Sequence, residues 1–364
     1  MDDLIRVHAR TLVDWSARVE EGDHVVVRVD EGAHDLAVAV AAELGERGAT
    51  VTTTYESAEI SRAYLRASED EFDEPAPERA LYEAADVVLR LGGTHNRSTM
   101  ADVSAETRQA YRTATRGVSE TRLETDWVST VHPTRALAQQ AGMSYEAYRE
   151  FVYDAVVRDW EELAEEMARL KEIFDEGSEV CLRTEDTDLT MRIDGRTAVN
   201  SAASVVYDSH NLPSGEVFTA PYAAEGEVTF DVPMTIRGRR VRDAWLRFED
   251  GEVVDWDALS GAEVIESVVE TDEGARRLGE LGVGMNRGID RPTDSILFDE
   301  KMAGTVHLAL GRAYDACLPE DETGNDSAVH QDLITDLRDG GSLVVDGEVI
   351  QRDGLFRWED GFET

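Results

Sequence analysis

The sequence predicts an α/β protein in two parts, an N-terminal α/β domain on a parallel sheet and a β-rich α+β domain after it. Three observations carry that prediction. Residues 24–91 alternate β-branched runs with helical stretches, the texture changes after Gly177-Ser178, and short β runs punctuated by turn dipeptides fill most of the remainder. Strands separated by helices need crossover connections and pair in parallel, whereas strands joined by tight turns pair antiparallel. The boundary is placed at 178, giving domains 1–178 and 179–364.

The first strand is the run His24-Val25-Val26-Val27-Arg28-Val29. Apolar residues at helical spacing follow from His34 to Arg47, and Gly48 is the expected C-cap because glycine adopts the left-handed conformation freely. A second strand over Thr50–Tyr55, a helical segment over Ile60–Ala67 and a third strand over Asp86–Leu91 continue the alternation. Gly92-Gly93 reads as a crossover loop; the chain has neither a GxGxxG nor a Walker motif. Residues Tyr145–Ile173 read as one long helix, with Phe151, Val152, Ala155, Val156, Trp160, Leu163, Met167 and Leu170 on its apolar face. Beyond the boundary, Val180–Ile193 reads as a hairpin around Asp186-Thr187-Asp188. Val228–Trp256 reads as a meander turning at Gly238 and Asp250-Gly251, and a last hairpin turns at Asp346-Gly347.

Charge narrows the partners. The 364 residues carry 77 acids against 36 Lys and Arg, a net charge of −41. Nucleic acid and anionic membrane are thereby excluded as main partners, since the long-range term is repulsive. Lys171 and Lys301 are the only lysines; every other basic side chain except histidine is Arg. Acid excess with lysine nearly absent predicts a protein built for molar salt, where the Debye length is about 3 Å and self-repulsion is screened. A halophile's cytoplasm is the expected location. Two cysteines, Cys181 and Cys317, make no disulfide framework. The start lacks the pattern of a signal peptide, and the longest apolar stretch, Leu36–Leu44, is too short to span a bilayer and contains Glu43.

The chemistry-bearing residues cluster late. One block runs from Asp299-Glu300-Lys301 to His307-Leu308-Ala309-Leu310-Gly311, with Tyr314 beyond it; another is Asn325–Leu333. In an extended chain residues i and i+2 face the same way, so His330 and Asp332 can reach one metal. Glu216 lies in Gly215-Glu216-Val217-Phe218-Thr219-Ala220-Pro221, and Glu280 lies in Leu278-Gly279-Glu280-Leu281-Gly282. A carboxylate in such apolar company needs a metal, several donors or a cation, and either acid can equally pair with an arginine.

These blocks carry a resemblance. Together with Thr187-Asp188-Leu189-Thr190, Asn211-Leu212-Pro213-Ser214 and Asn286, and more weakly Trp127–Pro133 and Ala138–Ser144, they resemble the thermophilic aminopeptidase family of metallopeptidases, the aminopeptidase T and aminopeptidase S type. The resemblance runs over nearly the whole chain and makes the second domain the catalytic, metal-binding one. It implies that Glu216, Glu280, His307, His330 and Asp332 are ligands to two divalent ions, with Glu280 bridging. It also implies that Tyr314 donates to the developing oxyanion. Three carboxylates and two imidazoles suit zinc, cobalt or manganese. Glu300 is expected to act as general base or to orient a ligand, or else to form an ion pair with Lys301 or an arginine.

The activity so implied is aminopeptidase: release of N-terminal residues from peptides with a free N-terminus, by water activated at a dinuclear centre. A homodimer is implied as well. Two alternatives stand beside it, a ring-cleaving dioxygenase with a single iron on the same scaffold and a non-catalytic binding protein. The full ligand set favours the peptidase. Gln331, in place of an aromatic or other large residue, and the acidic loop Leu318–Asn325 depart from the family pattern and bear on pocket shape rather than chemistry. His132 is read as structural and Asp188 as satisfying backbone donors at a turn. The N-terminal domain has no chemistry of its own and is expected to shape substrate access or a dimer interface.

Overall fold

A computed structural model describes residues 2–68 and 71–363. The chain forms two compact units, Met1–Arg158 with Ala203–Pro213, and Asp159–Ala202 with Ser214–Thr364.

In the first unit, strands β1 (His24–Asp30), β2 (Thr50–Glu56), β3 (Val87–Gly92) and β4 (Asp126–Val131) and the short strand Asn211–Leu212 form one parallel sheet. Their order is β2-β1-β3-β4 followed by Asn211–Leu212. Central β1 buries Val25, Val26, Val27 and Val29, while edge strand β2 keeps Thr50, Thr52 and Thr53 exposed. The helix His34–Arg47 ends at Gly48, whose φ of +82° closes it in the left-handed conformation. The glycine pair after β3 has a packing role: Gly32 N donates to Gly93 O at 2.8 Å. A Cβ on Gly32 would sit 2.3 Å from that oxygen.

Two histidines of this unit are buried. His8, on the helix Asp3–Arg10, is fully buried, with Nε2 2.7 Å from Thr130 Oγ1. Thr130 Oγ1 in turn donates to Leu212 O at 2.7 Å, tying the last strand to β4. Burial, aided by the charge of His132, pushes the His8 imidazole down to about 3 and keeps it neutral. His132 is buried beside it and is lowered for the same first reason.

The segment expected to be one helix over Tyr145–Ile173 is two helices, Tyr145–Val156 and Trp160–Glu176. The apolar spacing continues through the break, so periodicity alone does not register it. Capping does: Asp159 accepts from Glu162 N at 3.0 Å, as Ser144 accepts from Ala147 N in the preceding helix. The units divide at this break. Trp160–Glu176 packs on the strands Val199–Ser201 and Glu216–Thr219 of the second unit, whereas sequence texture placed the boundary at 178.

The second unit carries two further sheets. A nine-stranded sheet holds the expected hairpins and meander, including Glu179–Thr184 with Thr187–Arg192 and Ser342–Val345 with Glu348–Arg352. Asp188 lies within a strand rather than in the turn, exposed and 3.5 Å from Arg183. Positive φ at Arg237-Gly238, Asp250-Gly251 and Asp346-Gly347 marks the turns that suit the twist of antiparallel strands. The smaller sheet is antiparallel, in the order His330–Asp336, Thr305–Gly311, Leu278–Gly284, Glu216–Thr219, Val199–Ser201. Every residue of Leu278–Gly284 and Thr305–Gly311 is buried, so a polar side chain on these strands is withdrawn from water. Among the described residues no helix is long and apolar enough to cross a membrane.

Candidate metal centre

Adjacent strands of the smaller sheet bring the five expected ligand residues together. Pairing sets Glu280 opposite Ala309, Ala309 opposite Asp332, Gly282 opposite His307 and Gly311 opposite His330. Side chains two apart on a strand share a face, so Glu216, Glu280, His307, His330 and Asp332 project from one face with small residues between them.

They form two triads that share one member, Glu216–Glu280–His307 and Glu280–His330–Asp332, each with one ligand atom per residue lying within 4.8 Å of the others. Glu280 Oε1 is 3.2 Å from His307 Nε2, and its Oε2 is 3.1 Å from His330 Nε2. One carboxylate thus offers one oxygen to each triad. His330 Nδ1 donates to Arg312 O at 2.9 Å, which turns Nε2 towards the site. Glu216 Oε2, 3.5 Å from His307 Nε2, is buried with no hydrogen-bond partner.

Electrostatics separates these groups. Burial would raise the Glu280 carboxyl, but hydrogen bonds from His307 and His330 outweigh it and hold Glu280 well below the usual carboxylate range. Glu216 moves the other way: burial raises it more than the Lys301 charge lowers it. Asp332 is also raised, by burial and then by the charges of Glu300 and Glu280. Burial would lower both imidazoles, yet their acidic neighbours push them up. Three carboxylates this close and this buried ionise together only when positive charge is supplied. The orphaned Glu216 oxygen and the mixed carboxylate–imidazole donors fit divalent cations.

Of the other expected site residues, Tyr314 is about half exposed, with its ring 5.0 Å from that of His330 and 5.5 Å from that of Phe218. Glu300 lies outside both triads, and its Oε1 accepts from Lys301 Nζ. Two further residues matter that sequence reasoning did not single out as part of the site. Lys301, considered there only as a partner for Glu300, is fully buried and also lies 3.4 Å from Glu216 Oε1. Burial would strip its proton, but the charges of Glu216 and Glu300 keep it an ammonium. Gly282 is the floor beneath His307: a Cβ there would fall 2.0 Å from His307 Nε2.

Gly282→Ala is therefore expected to displace the imidazole and to cut metal retention and activity by about 10–100-fold, the usual scale for disturbing what supports a ligand. Metal analysis of the purified variant, with a thermal melt beside it, checks this. Wild-type metal content would show that the ring need not lie over residue 282.

This fold and donor set are those of a metalloprotein. The chain belongs to the thermophilic metalloprotease family M29, whose family model matches residues 1–355. It is 39% identical over 158 residues to aminopeptidase T of Thermus aquaticus, covering 40% of this chain and 37% of that protein. It is 35% identical over 181 residues to aminopeptidase 2 of Geobacillus stearothermophilus, covering 44% and 42%. These matches span about two-fifths of the length of the curated relatives. Among solved structures, wild-type AmpT from Thermus thermophilus superimposes with a TM-score of 0.83 at 25% identity, covering 98% of this chain and 99% of the other. A 2,5-dihydroxypyridine dioxygenase from Pseudomonas putida shares the fold at a TM-score of 0.58 and 15% identity, covering 98% and 97%.

Proposed function

We propose that the protein is a metallo-aminopeptidase that releases N-terminal residues from peptides at a dinuclear centre. The observation that carries the reading is Glu280, which offers one oxygen to each of two triads. Glu216 and His307 would hold one ion and His330 and Asp332 the other, and zinc, cobalt or manganese would suit these donors. Such ions, when bound, would polarise a scissile carbonyl and lower the pKa of a bound water. The protein supplies the rest. Tyr314, beside His330, donates a hydrogen bond from its phenol to the oxyanion of the tetrahedral intermediate. Glu300, at the oxygen that Lys301 does not hold, takes a proton from the attacking water and passes it to the leaving amine.

A single-iron dioxygenase centre would use one triad and leave the other without a purpose. The acidic, lysine-poor composition supports reading it as a salt-adapted enzyme of a halophile's cytoplasm. Assembly as a homodimer belongs to the same reading and rests on family resemblance.

The test is release of arylamine from aminoacyl anilides in molar KCl, with unblocked and N-acetylated substrates, before chelation and after metal is returned. The expected outcome is activity on unblocked substrates only, lost with chelator and restored by zinc, cobalt or manganese. Folded protein inactive with every metal would overturn the assignment.

A further inference from the structure

The buried lysine at the centre stands out against the composition of the chain. Of 36 basic residues all but two are arginine. Lys171 lies on a helix and pairs with Asp175 at 2.5 Å, an ordinary partly exposed contact. Lys301 has no exposure, so the preference for arginine on the surface does not act on it, and its surroundings must explain why it is lysine.

Its ammonium meets two carboxylates through one oxygen each, Glu300 Oε1 in direct contact and Glu216 Oε1 at 3.4 Å. The second oxygen of Glu216 is left buried and without a hydrogen-bond partner, facing His307. The two oxygens of Glu216 therefore have different surroundings, one taken by a cation of the protein and one open to the site. An ammonium acts as a point charge that can take a single oxygen. A guanidinium presents a planar fork matched to both oxygens of a carboxylate at once. Arginine at this position would claim the oxygen that faces His307, whereas an apolar residue would free both.

We propose that Lys301 is a positioning residue that keeps Glu216 a one-oxygen ligand. The first triad then presents three donor atoms and keeps a place for water and substrate carbonyl, as catalytic sites with three protein ligands do. Carboxylates bind metals through one oxygen or two, and Lys301 decides between these by occupying Oε1. The inference rests on the metal-centre reading above. It makes the conservative replacement by arginine the more damaging one for metal binding.

The experiment is a cobalt(II) titration of the metal-depleted full-length chain in molar KCl, read by visible absorption, whose intensity falls as coordination number rises. Anilide hydrolysis is measured alongside. Lys301→Met is expected to take up cobalt in wild-type amount with weaker visible bands and about 10–100-fold lower activity. Lys301→Arg is expected to take up less cobalt than Lys301→Met. Lys301→Gln, whose amide still donates to one oxygen, is expected to keep more activity than Lys301→Met and replaces it should that variant not fold. Unchanged cobalt bands in Lys301→Met, or Lys301→Arg matching the wild type in uptake and activity, overturns the inference and leaves the metal centre standing. A wild-type chain that takes up no cobalt overturns both.

Discussion

Glu280→Ala is expected to lose at least ~10³-fold in activity, about 4 kcal/mol of transition-state stabilisation, and to retain less metal than the wild type. The size follows from its place. It is the one residue common to both triads, so its removal takes a ligand from each. It also removes the acceptor that faces both His307 Nε2 and His330 Nε2. Glu280→Gln separates charge from shape: it preserves volume, has only one carbonyl oxygen, and is expected to be about as inactive. Metal content and anilide turnover of both variants check the expectation. Either variant keeping more than about a tenth of wild-type activity, a loss under 1.4 kcal/mol, would remove Glu280 from the centre of the mechanism.

The second large effect is that of salt. A net charge of −41 makes the compact state repel itself, and the repulsion is screened only as the Debye length shrinks from about 10 Å at 0.1 M to about 3 Å at 1 M. The surface ion pairs do little to offset it. Pairs such as Arg116–Glu120 and Arg239–Glu263 are well exposed, and such pairs contribute at most about 1 kcal/mol each. Lowering KCl from 3 M to 0.1 M is expected to reduce the melting temperature by about 10 °C or more, as a loss of several kcal/mol does in a protein of this size. A melt series against KCl at fixed pH measures it. A flat series would show that the acidic surface is not an adaptation to salt.

Much of the fold was legible because local pattern and final structure agree. The valines of β1 needed a buried parallel strand and have one. Gly48 needed a left-handed cap and provides it. The turn dipeptides at 238, 251 and 347 fall where positive φ is required. The break at Asp159 was hidden by apolar spacing that runs through it, although a capping signal, Asp159 followed by Glu162, lay in the sequence. Within the site, the spacing of His330 and Asp332 announced a shared face, and family resemblance gathered the other three candidate ligands. The floor under His307 was not legible, because Gly282 lies 25 residues from it and the two meet only through strand register.

The sequence by itself determined the alternation of strands and helices in the first half, the antiparallel texture of the second and the surface charge. Each is written in local periodicity or in composition, and neither needs a long-range contact to be read. Tertiary structure alone decided which oxygen of Glu280 faces which imidazole, that Glu216 keeps one oxygen without a partner, and that Lys301 is buried against it. Those facts depend on how strands distant in sequence align. Register fixes which side chains share a face, and burial then fixes which charges must find each other.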